Sequence, residues 1–192
     1  MENIIDMIQK ATKDTPTNFI ILLLANSINY LQTNLDVLKY LINEVQMNGI
    51  YITINRPAMD MIKNLQKVNI NTKNLFFIDC ISETAKGNIE RTDNILYTSS
   101  PKNLTDIGIA ISEITKSLKD PSNYFLFLDS VSTLLIYNSA RSIVQFSHFL
   151  INVIRTNNLN GVIMSVESET DNFVKRTLYV LCDKVIYSED NK

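Results

Sequence analysis

The chain of 192 residues has a formal net charge of −2, with 45% hydrophobic and 20% charged residues. This length and composition predict one globular domain over residues 1–192. The near-neutral charge does not indicate a basic surface for binding nucleic acid or an anionic membrane. The longest apolar run, Phe19 to Ala25, is far shorter than the roughly 20 residues that span a bilayer, and no basic segment precedes it. We therefore expect neither a membrane span nor a signal peptide.

Apolar segments alternate with amphipathic ones. Residues 1–14 carry isoleucines at helical spacing and predict a short amphipathic helix at the N-terminus. Short apolar or β-branched runs predict strands at 19–25, 50–54, 75–78, 95–98, 124–128, 162–166 and 184–187. Helical periodicity follows at 35–45, 58–68, 107–118, 140–155 and 173–181. The polar residues 80–94 predict a surface loop. This order predicts a three-layer α/β domain, with a mainly parallel central sheet flanked by helices.

Local signals set several boundaries. Thr33 or Asn34 can cap the helix after the first strand through a side-chain oxygen. Gly49 stands where a left-handed residue would end that helix. The two cysteines, Cys80 and Cys182, are far apart in sequence and are expected as reduced thiols in a cytoplasmic protein, with a secreted disulfide as the alternative.

Three segments of the sequence resemble a known family. FLFLDSVSTLLIYNSARSIVQFSHFLINVIR, from Phe125, resembles the Walker B strand and following helix of the RecA/KaiC-like branch of the P-loop ATPase superfamily, archaeal members included. GVIMSVE at 161–167 resembles the strand after it, and GIYITINRP at 49–57 the strand that usually ends in the catalytic glutamate. The resemblance implies a RecA-like fold over about residues 17–188, with Asp129 in the place of the magnesium-binding acid.

Two departures from the family bear on its chemistry. A phosphate-binding loop needs glycines, a lysine and a Ser or Thr, but the corresponding residues 26–36 contain neither glycine nor lysine. The position of the catalytic acid holds Asn55, which cannot accept a proton at neutral pH, followed by Arg56. The sequence therefore predicts a degenerate member that lacks Walker A and does not hydrolyse ATP.

Asp129 and Ser130 have two interpretations. In one, Asp129 holds Mg²⁺ through water beside a bound nucleotide. In the other, both side chains cap the turn after the strand by accepting backbone N–H groups. The joint absence of the phosphate loop and the acid favours capping. His148 is the only histidine and has no Cys, His or carboxylate neighbour at helical spacing, so no metal site is expected.

We expect a catalytically inactive RecA/KaiC-like domain that acts as a regulatory or scaffolding protein-interaction module, without a cofactor, through a protein partner or self-association. The alternative is a non-hydrolysing sensor of a nucleotide or small anion, in which residual nucleotide or Mg²⁺ binds. The candidate ligand residues are Asn26, Ser27, Asn55, Arg56, Asp129, Ser130 and Glu167. In related ATPases the segment after Walker B contacts the next subunit, so the resemblance implies an interface at Tyr137, Asn138 and Arg141.

Overall fold

The computed structural model describes residues 4–13, 18–86 and 92–188, without the side chains of residues 85 and 86. One seven-stranded sheet organises these residues. Its strands are β1 (Ile20–Ala25), β2 (Asn48–Thr53), β3 (Leu75–Asp79), β4 (Ile95–Tyr97), β5 (Tyr124–Asp129), β6 (Asn160–Val166) and β7 (Lys184–Tyr187). The helices are α1 (Ile4–Lys13), α2 (Tyr30–Lys39), α3 (Ala58–Lys67), α4 (Ser82–Lys86), α5 (Leu104–Ser117), α6 (Val131–Tyr137), α7 (Ala140–Thr156) and α8 (Asn172–Leu181).

The strand order is β4-β3-β2-β5-β6-β1-β7, and each neighbouring pair is parallel. Parallel neighbours require long crossover connections, which the helices supply. β5 is the middle strand, with β2 on one side and β6 on the other. All carboxyl ends therefore lie along one edge of the sheet, where ligands of open α/β sheets bind.

Alternate side chains of each strand enter opposite layers. In β1, Ile21 and Leu23 join a core with α1, α2 and α3, while Ile20 and Leu22 join a second core with α5, α7 and α8. Because both faces are covered, the central strands are apolar at nearly every position. The predicted three-layer α/β class with a parallel sheet is confirmed. In the described part of the chain, no helix is both long and apolar enough to cross a membrane.

The predicted cap of α2 is wrong. The helix begins at Tyr30, and Thr33 and Asn34 are buried inside it. Asn29 occupies the N-cap without a side-chain hydrogen bond. Because the helix starts earlier, Tyr30 can donate its hydroxyl to Asp129 and Asn34 can donate its amide to Tyr51. These tertiary contacts outweigh the local capping preference.

Gly49 is a strand residue and not the left-handed end of a helix. A π-helical turn, Tyr40–Glu44, follows α2, and the nearest left-handed residue is Gln46, with φ of 63°. A Cβ on Gly49 would overlap with Cζ of Phe125 and would lie 2.6 Å from Cδ2 of Leu75. Glycine is needed there for the close approach of neighbouring strands.

The loop predicted at 80–94 differs from the structure at its start. Cys80 and Ser82 are buried, and α4 begins at Ser82. The cause is Asp79, whose carboxylate accepts the N–H groups of Ile81 and Ser82 at 3.0 and 2.9 Å and that of Ala58 at 2.8 Å. Residues 87–91 of that loop lie outside the described residues, as do 1–3 and 14 of the predicted N-terminal helix, which is otherwise observed as α1.

Candidate functional site

The middle of the carboxyl edge is formed by the end of β5. Asp129 is the last residue of that strand and pairs in register with Thr53 of β2 and Met164 of β6. The residue is only 2% exposed. A buried carboxylate requires polar partners, since an isolated charge in an apolar interior is very costly.

Side chains from three segments supply those partners. The Tyr30 hydroxyl at the start of α2 donates to Oδ1 of Asp129, and the Tyr51 hydroxyl on β2 donates to Oδ2. Nδ2 of Asn55 donates to Oδ1 at 2.9 Å. Nδ2 of Asn34 donates in turn to the Tyr51 hydroxyl at 2.9 Å. Both carboxylate oxygens are therefore bound by the protein's own donors, and we call these five side chains the Asp129 cluster.

The two phenols of the Asp129 cluster stay protonated. Burial raises the pKa of Tyr51 well above its ordinary value, and the negative charge of Asp129 raises it further. The pKa of Tyr30 is also raised, first by burial and then by Asp129, while Ser130 and Arg56 act in the opposite direction. Neutral phenols are hydrogen-bond donors, which is what a charged carboxylate needs in this environment.

Ser130 is a helix cap, as the second interpretation predicts. Its Oγ accepts the Thr133 N–H at 3.3 Å at the start of α6. Thr133 also donates its hydroxyl to Oδ1 of Asn55, which ties the end of β2 to α6. The predicted capping role of Asp129 is wrong. Its carboxylate accepts hydrogen bonds from the two phenols and the Asn55 amide, and not from the backbone N–H groups of the turn.

A second set of hydroxyls holds α6 against β6. Ser165 accepts the Ser132 N–H at 3.0 Å, and Ser132 accepts the Val166 N–H at 3.1 Å. Oγ of Ser165 and Oγ1 of Thr170 lie 2.7 Å apart. These serines satisfy backbone groups, which gives them a structural role at this edge.

The segment between β1 and α2 stands in the position of the family's phosphate loop. Oδ1 of Asn26 accepts the Ile28 N–H at 2.8 Å, and the Asn26 N–H donates to Oγ of Ser188 at 3.2 Å. Ser27 is exposed. Tyr30 follows at the first turn of α2 and extends its side chain to Asp129. A tyrosine of this chain therefore lies between the helix N-terminus and the carboxylate.

Two candidate ligand residues lie apart from the cluster. Arg56 is half-buried, close enough for its charge to act on Tyr30, and its carbonyl accepts the Thr53 hydroxyl at 2.6 Å. Glu167 is exposed in the turn after β6, where Nζ of Lys175 lies 3.0 Å from its carbonyl and 4.0 Å from its Oε1. The structure thus brings together Asn55, Asp129 and Ser130, with Arg56 at the margin.

The candidate interface residues differ in exposure. Tyr137 is 40% exposed, and Arg141 on α7 is exposed. Asn138 is half-buried, and its Nδ2 donates to the carbonyls of Pro101 and Leu134 at 3.0 and 3.1 Å. Asn138 therefore holds the turn between α6 and α7, while Tyr137 and Arg141 are open to solvent.

Sequence reasoning missed Tyr30, Asn34, Tyr51 and Thr133. One signal was available, since Tyr30 and Asn34 are four residues apart and so share a helix face. Among the described residues no group of three or more His, Cys, Asp or Glu side chains could hold a metal ion, and His148 is exposed.

Comparison with known proteins gives a family and a fold. The sequence model described as "Family of unknown function (DUF7504)" matches residues 50–187. No curated protein matches the chain.

Two solved structures from Pyrococcus horikoshii are similar to it. The KaiC-like protein PH0186 of strain OT3 has a TM-score of 0.60 and 13% identity, with 89% of this chain and 71% of that chain covered. The uncharacterized protein PH0321, solved in complex with an unknown peptide, has a TM-score of 0.70 and 12% identity, with 94% and 82% covered. The resemblance predicted from sequence is confirmed as a RecA/KaiC-like fold.

Proposed function

This chain belongs to DUF7504, a family of unknown function, and on that premise we propose that it is a RecA/KaiC-like domain that does not hydrolyse ATP and acts as a regulatory or scaffolding protein-interaction module. The observation that carries the proposal is the occupied carboxylate of Asp129. Magnesium in nucleotide sites needs carboxylate oxygens and substrate phosphates together. Here Tyr30, Tyr51 and Asn55 take those oxygens instead.

The residues around Asp129 support the same proposal. Residues 26–36 supply no glycine for a backbone nest and no lysine for phosphates. Asn55, in the place of the catalytic acid, uses its amide to bind Asp129 and Thr133. An amide has no basic site to activate water. A cofactor-free binding domain therefore accounts for this edge of the sheet.

One further observation supports a binding role, and another supports the proposed location. The similar structure of PH0321 holds an unknown peptide, and we propose a peptide segment as the class of partner for this chain. Cys80 and Cys182 are both free and buried, in keeping with the reducing cytoplasm that we propose as its location.

Phosphate release from Mg·ATP by the purified chain tests the proposal. We expect no release above the blank for the wild type and for Asp129→Ala. Turnover by the wild type that Asp129→Ala abolishes would refute it. Co-purification from native cells, with mass spectrometry of the captured chains, then identifies the protein partner.

Arg56 favours a second candidate function, a non-hydrolysing sensor of a nucleotide or small anion. Within the described residues no carboxylate lies within ion-pair distance of its guanidinium, so its charge is open to an anion at the carboxyl edge. Thermal-shift measurements with ATP, ADP and cyclic dinucleotides test it, since a ligand at 100 times its Kd adds about 2.7 kcal/mol of stability. A shift lost in Arg56→Ala and kept in the exposed control Arg176→Ala supports the sensor. If none of these ligands raises the melting temperature, the result supports the interaction module.

A further inference from the structure

A groove of about 750 Å³ lies between α5 and α7, away from the Asp129 cluster. Its apolar lining includes Leu104, Gly108, Ile109, Phe146 and Phe149. Ile109 is 59% exposed and Phe149 is 39% exposed. Two large apolar side chains in one concave site are typical of a surface that binds another molecule.

Gly108 shapes the floor of this groove. A Cβ at that position would lie 3.2 and 3.3 Å from two ring atoms of Phe149. The missing side chain lets the Phe149 ring lie against the backbone of α5. The ring centroids of Phe146 and Phe149 are 6.1 Å apart, within the range of favourable aromatic pairs. The floor is therefore a packed aromatic surface that still reaches solvent.

Charge is distributed unevenly around the groove. Ile109 and Glu113 also line a second, more polar hollow of about 420 Å³ beside it. The described charged residues that line the second hollow are all acidic, namely Glu83, Asp106 and Glu113. Of the described residues that line the groove itself, Glu113 is acidic and Lys116 is basic. An occupant of the groove thus meets an apolar floor and an acidic flank, which complement apolar and basic side chains.

We propose that this groove binds a basic amphipathic helix of another protein. Such a helix places apolar side chains of one face on Ile109 and Phe149 and directs lysines or arginines toward Glu113 and its acidic neighbours. From Leu104 to Lys116 the groove runs along α5 for about 18 Å, the length of about 12 helical residues. The inference rests on the proposed function, because it names the partner surface of an interaction module.

Two synthetic fluorescein-labelled helical peptides of about 14 residues test whether the acidic flank and the apolar floor of the groove both contribute to binding. They share the same leucine positions and carry either lysine or glutamate on the flanks. By fluorescence anisotropy at low salt, we expect the lysine peptide to bind about tenfold more tightly than the glutamate peptide. Glu113→Lys should reduce or invert that preference, and Phe149→Ser should weaken both peptides by about tenfold.

Matched controls lie elsewhere on the surface. Glu169→Lys reverses an exposed charge, and Val180→Ser removes an apolar side chain that is 84% exposed. Both should leave the two affinities unchanged, and urea unfolding confirms that every variant is folded. Equal affinity for the two peptides, or binding unaffected by Phe149→Ser, overturns the inference. Self-association in sedimentation that Phe149→Ser abolishes also overturns it, because the occupant is then a second copy. These outcomes are independent of the phosphate-release test, so a failure of this inference can be distinguished from a failure of the proposed function.

Discussion

Asp129→Ala removes an acceptor that three side-chain donors share. Tyr51 is fully buried and Tyr30 is half-buried, so their hydroxyls would lose a partner without gaining full access to water. A buried donor left unsatisfied costs about 1–3 kcal/mol. Asn55 is exposed and adds little. We therefore expect the free energy of unfolding to fall by about 2–5 kcal/mol.

Urea unfolding at neutral pH measures this change, provided that the m-value is the same in wild type and variant. The matched control is Asp36→Ala. Asp36 accepts a hydrogen bond from Gln32 on the surface of α2, so its loss should cost less than about 0.5 kcal/mol.

A double-mutant cycle with Tyr51→Phe isolates the contact. Tyr51→Phe should cost about 1.5–3 kcal/mol in the wild type, because its hydrogen bond is to a charged group. In the Asp129→Ala background the same change should cost less, because only the hydrogen bond that the Tyr51 hydroxyl accepts from Asn34 is then lost. The difference between the two costs gives a coupling energy of about 1–3 kcal/mol. An Asp129→Ala variant as stable as the Asp36→Ala control would contradict the reasoning, since the carboxylate would then be solvated and free for a metal.

Three further predictions concern pH, packing and thiol reactivity. The pKa of Tyr30 and of Tyr51 lies above the ordinary 10.0 in the fold, so the stability they contribute is complete below about pH 10 and falls as pH rises beyond it. Urea unfolding at a series of pH values above 10 should show the free energy of unfolding falling by up to about 1.4 kcal/mol per pH unit for each tyrosine. The fall should be smaller in Tyr51→Phe, which has lost one of the two phenols. Gly49→Ala should lower stability in thermal unfolding by about 1–3 kcal/mol, because its Cβ meets the Phe125 ring; an unchanged midpoint would be evidence against that contact. Burial raises the pKa of Cys80 to about 12, so peptide mass spectrometry should find it labelled by a thiol reagent at pH 8 only after unfolding.

The elements were predictable because their signals are local. Strands such as Lys184–Tyr187 and helices such as Ala140–Thr156 follow from the spacing of apolar residues over a few positions. The errors fell where a tertiary contact overrode a local preference. Asn34 is a good capping residue, but it is buried inside α2, where its amide reaches Tyr51. Gly49 is a good helix terminator, but Phe125 on the neighbouring strand requires it within β2.

The candidate site was predictable only in part. Parallel strands bring their carboxyl ends together, so the meeting of Asn55 with Asp129 and Ser130 follows from the predicted sheet. The tyrosines could not be predicted as partners of Asp129. The spacing of Tyr30 and Asn34 shows only that they share a face of α2, and a tyrosine in an apolar strand or at a helix start has no sequence pattern that identifies its partner.

The sequence by itself determined that this chain is a three-layer α/β domain with a RecA/KaiC-like order of elements. It also determined that residues 26–36 hold no glycine or lysine for a phosphate. Only the tertiary structure decided what Asp129 contacts. Its two phenol donors, Tyr30 and Tyr51, are 99 and 78 residues away along the chain. They meet Asp129 because β2 pairs with β5 and because α2 begins at the same edge of the sheet.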